Sequence, residues 1–354
     1  MTFMKKYYLL LDILRTVLFG QSKEVQHMDN LVAVLAEAEK QTVAPMVFQT
    51  LAEAGVKLPS EVVFQQVGIQ QQVAQRNAFI NEQVTSLTQL FHKYNVDYAI
   101  AKGQVAASYY SVPKFRQSGD VDFFCDETNY LKAVEALQKE WGVNIKSGNG
   151  KFHDAFDYKG VSFEMHHTLT HFYNTNKDNY WKTILSEAPR HSLNINGCDV
   201  STLHPTIHSL YIFLHLYHHL LELGVGLRQF CDWAMILHAC KDDIDHEAIK
   251  KHLKVFGMEK AYRACGAILV RDLGLPANEF TYELTDYDMR YADKILDIVF
   301  YRGNMGHYNK RGGFHGWKHK LESTGIKLSH FIKFYPLAPT FMRDWAWDVV
   351  KSRL

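Results

Sequence analysis

The chain has 354 residues, 47% hydrophobic and 22% charged, with a formal net charge of +1, a composition that excludes disordered and fibrous classes and leaves room for two or three packed units. Charge is uneven: residues 301–354 hold 10 Lys and Arg against 3 Asp and Glu, or +7, leaving −6 for the remainder. The five cysteines, Cys125, Cys198, Cys231, Cys240 and Cys265, are odd in number and form no C-x-x-C pair, which points to reduced thiols in a cytoplasmic protein.

Lys5 and Lys6 precede an apolar run, Tyr7 to Leu11, but Asp12 and Arg15 interrupt it, so the N-terminus reads as an amphipathic helix rather than an export signal. Helical periodicity continues through Met28 to Ala54 and Pro59 to Tyr94, defining an N-terminal helical region over 1–92. The period then changes. Val96 to Ala101 reads as a buried strand, Gly103 to Tyr110 as a short helix and Ser111 to Gly119 as a Pro-containing loop. Asp120 to Cys125 forms a second strand, followed by a helix from Asn129 to Trp141 with Asp126 or Thr128 as its cap. A hairpin pairs Phe152 to Tyr158 with Val161 to His167 across Lys159-Gly160, completing a core over 93–172. From about residue 175 the pattern is helical to the end, broken at Gly303 to Gly316, and gives a C-terminal helical domain over 173–354. Within it, the apolar stretch from His208 to Leu227 carries His215, His218, His219 and Glu222 and is too polar to cross a membrane.

Chemistry concentrates in the central segment. Strand side chains alternate between faces, so Asp120 and Asp122 share one face while Val121, Phe123 and Cys125 share the other. Two carboxylates that close repel each other unless a proton or cation lies between them, and oxygen ligands of this kind suit Mg²⁺. In the second hairpin strand Val161, Phe163 and Met165 fill the core face, which turns Glu164 the other way with Ser162 and His166. Glu164 is therefore a candidate third metal ligand. Lys102 and Arg116 are placed to neutralise polyphosphate charge, and Gly103, lacking a Cβ, lets backbone approach a phosphate. Both cations also have a plain structural reading as partners of the acids.

Ala101-Lys102-Gly103, Arg116-x-x-Gly119-Asp120-Val121-Asp122 and Phe163-Glu164-Met165-His166-His167 resemble the polymerase-β-like nucleotidyltransferase superfamily, and within it an uncharacterised bacterial branch. Leu227-Arg228 and Asp232-Trp233 are similar to that branch's helical follow-on region, so the resemblance covers roughly 95–235. It implies an α+β fold with a small mixed-sheet core flanked by helical regions, and transfer of a nucleoside monophosphate from an NTP such as ATP to a hydroxyl or phosphate acceptor by two-metal chemistry. It also implies Asp120, Asp122 and Glu164 as catalytic ligands of Mg²⁺ or Mn²⁺, and Lys102, Gly103, Arg116 and Gly119 on the nucleotide side. Gln104 departs from the pattern, which carries a second small residue there.

His166 has the strand parity to contact substrate or shuttle a proton, and Arg228 and Asp232 are candidate acceptor contacts, although their i, i+4 spacing also suits an ordinary helix pair. A catalytically silent nucleotide-binding protein is one alternative, motivated by Gln104. A metallohydrolase built on His215, His219 and Glu222 is another. The basic aromatic end, Tyr301 to Lys320, has residues able to stack bases, but near-neutral total charge favours a small-molecule or protein acceptor over nucleic acid.

Overall fold

The computed structural model describes residues 2–21, 30–145, 153–222, 224–304, 325 and 328–351. N-terminal helical periodicity resolves into α1 (Thr2–Phe19), α2 (Leu31–Lys40) and α3 (Ala44–Glu53). Leu10, Ile13 and Leu14 of α1, Val34, Leu35 and Ala38 of α2 and Val47 and Leu51 of α3 are buried at three- and four-residue spacing. These helices belong to a unit made of Met1–Pro59, Phe172–Asp178 and Ile212–Leu354.

A second unit, Ser60–His171 with Asn179–Tyr211, contains the sheet. It opens with α4 (Ser60–Lys93), whose buried face runs Asn77, Ile80, Val84, Leu87 and Phe91. There follow β1 (Ala99–Ile100), α5 (Gln104–Ala107), β2 (Val121–Phe124), α6 (Glu127–Trp141), β3 (His153–Tyr158) and β4 (Val161–His166). Asp126 is the residue that caps α6, its carboxylate accepting from the Asn129 amide at 2.8 Å. After α7 (Thr175–Glu187) come β5 (Arg190–Ile195) and β6 (Cys198–Leu203).

The fold is α+β, with one six-stranded mixed sheet in the order β3-β4-β2-β1-β6-β5. Strand β2 is antiparallel to β1 and parallel to β4, while β1 is parallel to β6. Both outer pairs are antiparallel hairpins. Helices α8 (Pro205–Glu222), α9 (Leu227–Ala239), α10 (His246–Phe256), α11 (Glu259–Ala267), α12 (Asp286–Arg302) and α13 (Pro339–Lys351) complete the chain.

The β5–β6 hairpin corrects the expectation of helix throughout from residue 175. Its turn is Asn196-Gly197, with φ of 52° and 77°, and this dipeptide is a strong hairpin signal that the helical periodicity on either side outweighed. Its inner strand is tied to β1 by Thr202 Oγ1, which donates to the Ile100 carbonyl at 2.6 Å. All five cysteines are free. Among the described residues no helix is long and apolar enough to cross a membrane. The Gly- and basic-rich stretch lies outside the described residues from 305 to 324.

The β3–β4 turn takes the expected form, with φ of 46° at Lys159 and 74° at Gly160. Both angles lie in the left-handed region that a two-residue hairpin of this type requires. Replacing Gly160 with Ala is expected to destabilise the hairpin by about 1 kcal/mol, because a Cβ disfavours that region. Urea denaturation of Gly160→Ala checks it: an unchanged midpoint would contradict the turn described here.

Candidate metal centre

The site begins with the parallel pairing of β2 and β4, which sets Asp122 directly beside Glu164. Val121, Phe123 and Cys125 on one strand, and Val161, Phe163 and Met165 on the other, are buried in the core as alternation requires. Asp120, Asp122 and Glu164 therefore converge, each offering an oxygen within 4.8 Å of the other two. The cluster is graded in depth: the side chain of Asp122 is 1% exposed and that of Glu164 is 27% exposed.

Asp122 is the buried charge, and two basic side chains meet it. Lys102 Nζ lies 2.7 Å from Asp122 Oδ1, and His166 Nε2 donates to the same oxygen at 3.0 Å while standing 3.4 Å from Glu164 Oε2. The other oxygen, Asp122 Oδ2, is buried and finds no hydrogen-bond donor among the described residues. Burial alone would raise the Asp122 pKa, but Lys102 and His166 more than offset it and hold the carboxyl well below its usual range. Burial likewise opposes the charge on Lys102, yet Asp122, with Tyr211 and Asp120 contributing, pushes its pKa upward. His166 follows the same logic, with burial pulling its pKa down and hydrogen bonds to Asp122 and Glu164 carrying it above the usual value. Asp120 is raised, first by the neighbouring charge of Asp122, then by burial, with Glu164 adding to both. A carboxylate whose pKa is raised because another carboxylate crowds it marks a place where a cation is favoured.

Gly103 brings the loop after β1 against this cluster. Its φ of 60° and ψ of −114° suit glycine, and an added Cβ would lie 3.1 Å from the Asp120 carbonyl oxygen. The helix that follows is a single turn of four residues, shorter than the span to Tyr110 expected from sequence. Gln104 is engaged by α4: its Nε2 donates to the Asn77 carbonyl at 3.1 Å and to the Asn81 side chain. Asn77 Nδ2 in turn donates to the carbonyls of Lys114 at 2.9 Å and Arg116 at 2.8 Å. Thus α4 clips together the two loops that carry the candidate phosphate residues. The Arg116 side chain is buried, with Nη1 donating to Ser118 Oγ at 3.0 Å. Gly119 has open space where a Cβ would stand.

Two contributors escaped the sequence reading. Asn77 lies on a buried face of α4 that also carries Gln66, Gln70, Gln83 and Thr88, so the local pattern did not single it out. His153 was detectable from hairpin register, since a turn at 159–160 places it opposite His166; its Nε2 lies 3.9 Å from Glu164 Oε1. Arg228 and Asp232 sit on α9, in the helical unit, with Asp232 buried. His215 and His219 stack edge to face, and Glu222 pairs with His218 at 3.7 Å. Among the described residues, the groups of metal-ligating atoms that converge are Asp120, Asp122 and Glu164, and His153, Glu164 and His166; neither includes His215 or His219.

A family model described as an uncharacterised nucleotidyltransferase matches residues 29–273, well over half of the chain. No curated protein sequence matches. The crystal structure of an antigenic nucleotidyltransferase-like protein from Paracoccidioides brasiliensis aligns at 17% identity over 57% of this chain and 96% of that one, with a TM-score of 0.36. At that score the likeness carries no argument.

The Lys102–Asp122 contact has a direct thermodynamic signature. Lys102→Met is expected to destabilise the protein by about 3 kcal/mol, because it strips a partner from a buried charge. The same change made in Asp122→Asn protein is expected to cost less than about 1 kcal/mol. Chemical denaturation of the four proteins in this cycle measures the coupling, and additive effects would refute it.

Proposed function

The chain belongs to the uncharacterised nucleotidyltransferase family, and from that premise we propose that it moves a nucleoside monophosphate group from an NTP to a hydroxyl or phosphate acceptor and releases pyrophosphate. The observation that carries this reading is the convergence of Asp120, Asp122 and Glu164, together with one buried oxygen of Asp122 that finds no donor among the described residues. An all-oxygen ligand set fits Mg²⁺ or Mn²⁺, and the orphaned Asp122 Oδ2 is the kind of atom such an ion satisfies. Bound there, divalent cations would neutralise phosphate charge and stabilise the attacking and leaving oxygens of an in-line displacement.

The chain's own groups do the rest by position. Asp122 holds the deep side of the site, with Asp120 and Glu164 on its more open side. Gly103 keeps the turn close to Asp120, so backbone rather than a side chain lines that edge. Lys102 is poised to exchange Asp122 for a polyphosphate oxygen once the carboxylate is shared with another cation. Arg116 sits in the loop held by Asn77 and would supply positive charge to a bound polyphosphate. Transfer of this kind depends on alignment and charge neutralisation more than on a strong base. The motif formed by Gly103, Asp120-Val121-Asp122 and Glu164 supports placement in the polymerase-β-like superfamily. Near-neutral net charge supports a small-molecule or protein acceptor, and cysteine usage supports a cytoplasmic setting.

A second reading has its own observation. Lys102 already occupies Asp122 as a cation would, which fits a protein that binds nucleotide without turnover. Incubation with each α-labelled NTP, Mg²⁺ or Mn²⁺ and a cell extract as acceptor source separates the two. The enzyme reading expects label transfer and pyrophosphate release, both reduced by more than about 100-fold in Asp122→Asn. Mg²⁺-dependent nucleotide binding with no transfer above that variant would establish the silent binder.

A further inference from the structure

We propose that His153, Glu164 and His166 form a second cation site that takes a divalent transition metal of the zinc class, chemically distinct from the all-carboxylate set and sharing Glu164 with it. The hairpin builds it. In the β3–β4 register His153 lies directly opposite His166 and Ala155 directly opposite Glu164. Directly paired residues of an antiparallel ladder present their side chains on the same face. The two imidazoles are therefore brought to the face that carries Glu164, and the cross-strand neighbour of Glu164 is a methyl group that leaves its carboxylate clear.

Distances support the assignment. His166 Nε2 stands 3.4 Å from Glu164 Oε2, His153 Nε2 stands 3.9 Å from Glu164 Oε1, and the two rings are 5.0 Å apart between centroids. One ligand atom from each of the three residues falls within 4.8 Å of the others. Tetrahedral coordination at bond lengths near 2.0 to 2.1 Å separates ligand atoms by about 3.3 Å. Small side-chain movements close the set onto one ion.

Ligand chemistry separates this site from its neighbour. Two imidazole nitrogens with one carboxylate suit zinc, cobalt or nickel, whereas oxygen-only sites suit magnesium. The His153 side chain is 41% exposed, so an ion enters from solvent and a fourth position stays open to water. Coordination through Nε2 would draw His166 away from Asp122, and Lys102 at 2.7 Å remains to hold that charge. The inference does not depend on nucleotide transfer, and its readout is metal binding alone.

Metal-free protein titrated with Zn²⁺, followed by calorimetry, and with Co²⁺, followed by visible absorption, tests the site. One ion per chain is expected, with the absorption of a low-coordinate cobalt centre. His153→Ala removes a half-buried side chain at the outer strand of the sheet, and circular dichroism verifies its fold. Loss of an outer-shell partner already weakens metal sites by about 10-fold to 100-fold, so loss of this ligand is expected to weaken Zn²⁺ binding at least that much. Asp120→Asn, which alters only the carboxylate set, is expected to leave Zn²⁺ affinity within about threefold of the parent protein. Zn²⁺ bound equally well by His153→Ala protein, or no binding tighter than that variant shows, would overturn the proposal.

Discussion

A carboxylate with 1% exposure, flanked along its strand by Val121 and Phe123, keeps its charge only because Lys102 and His166 share one of its oxygens. Removing an ion from water carries a penalty of several kcal/mol, and a close pair recovers it only with good geometry and further hydrogen bonds. Asp122 has that geometry on Oδ1 and lacks it on Oδ2. The centre is thus built to hold a charge and left one ligand short. That incompleteness is where stability and chemistry meet, since the group that would relieve the deficit is also the group a phosphate would follow.

Sheet topology makes the arrangement possible. Placing β4 parallel to β2 requires the chain to return across the sheet, and α6 with β3 provides that return. Because β3 occupies the outer position, β4 is hydrogen-bonded along both edges, and its charged face continues that of β2 on the same side of the sheet. Lys102 arrives by a different route, from the end of β1 on the opposite side of β2, where the Ala101 amide donates to the Asp122 carbonyl at 3.0 Å. Backbone pairing thus fixes the positions from which both Lys102 and Glu164 approach the same aspartate.

Much of this was legible in the sequence, for identifiable reasons. Parity in short strands is a strict rule, so the shared face of Asp120, Asp122 and Glu164 could be read from alternation once the core positions were named. The partner of Lys102 could not, because its target depends on which strands adjoin and not on local pattern. Gln104 looked like a defect in a phosphate loop; its bond to α4 is a tertiary contact across 27 positions that no local rule reveals. The β5–β6 hairpin was carried by Asn196-Gly197 yet was masked by helical periodicity on both sides. His153 required counting register through the turn, a step that follows from the Lys159-Gly160 assignment itself.

The interleaving of the two units has a consequence for the order in which the chain folds. Every strand and the long helix α4 lie within residues 60–211, so the sheet unit has all of its parts once residue 211 has been synthesised. Helices α1 to α3 precede it but belong with segments that begin at 212; Arg15, for instance, donates to the Asp272 carbonyl 257 positions later. At ordinary translation rates the residues between 211 and 272 take about 3 to 12 seconds to appear. Through that interval the carboxylate centre can already be assembled while the hydrogen bond from Arg15 to the Asp272 carbonyl has yet to form. The stretch that carries the chemistry can therefore complete its own hydrogen bonding before the helical unit does.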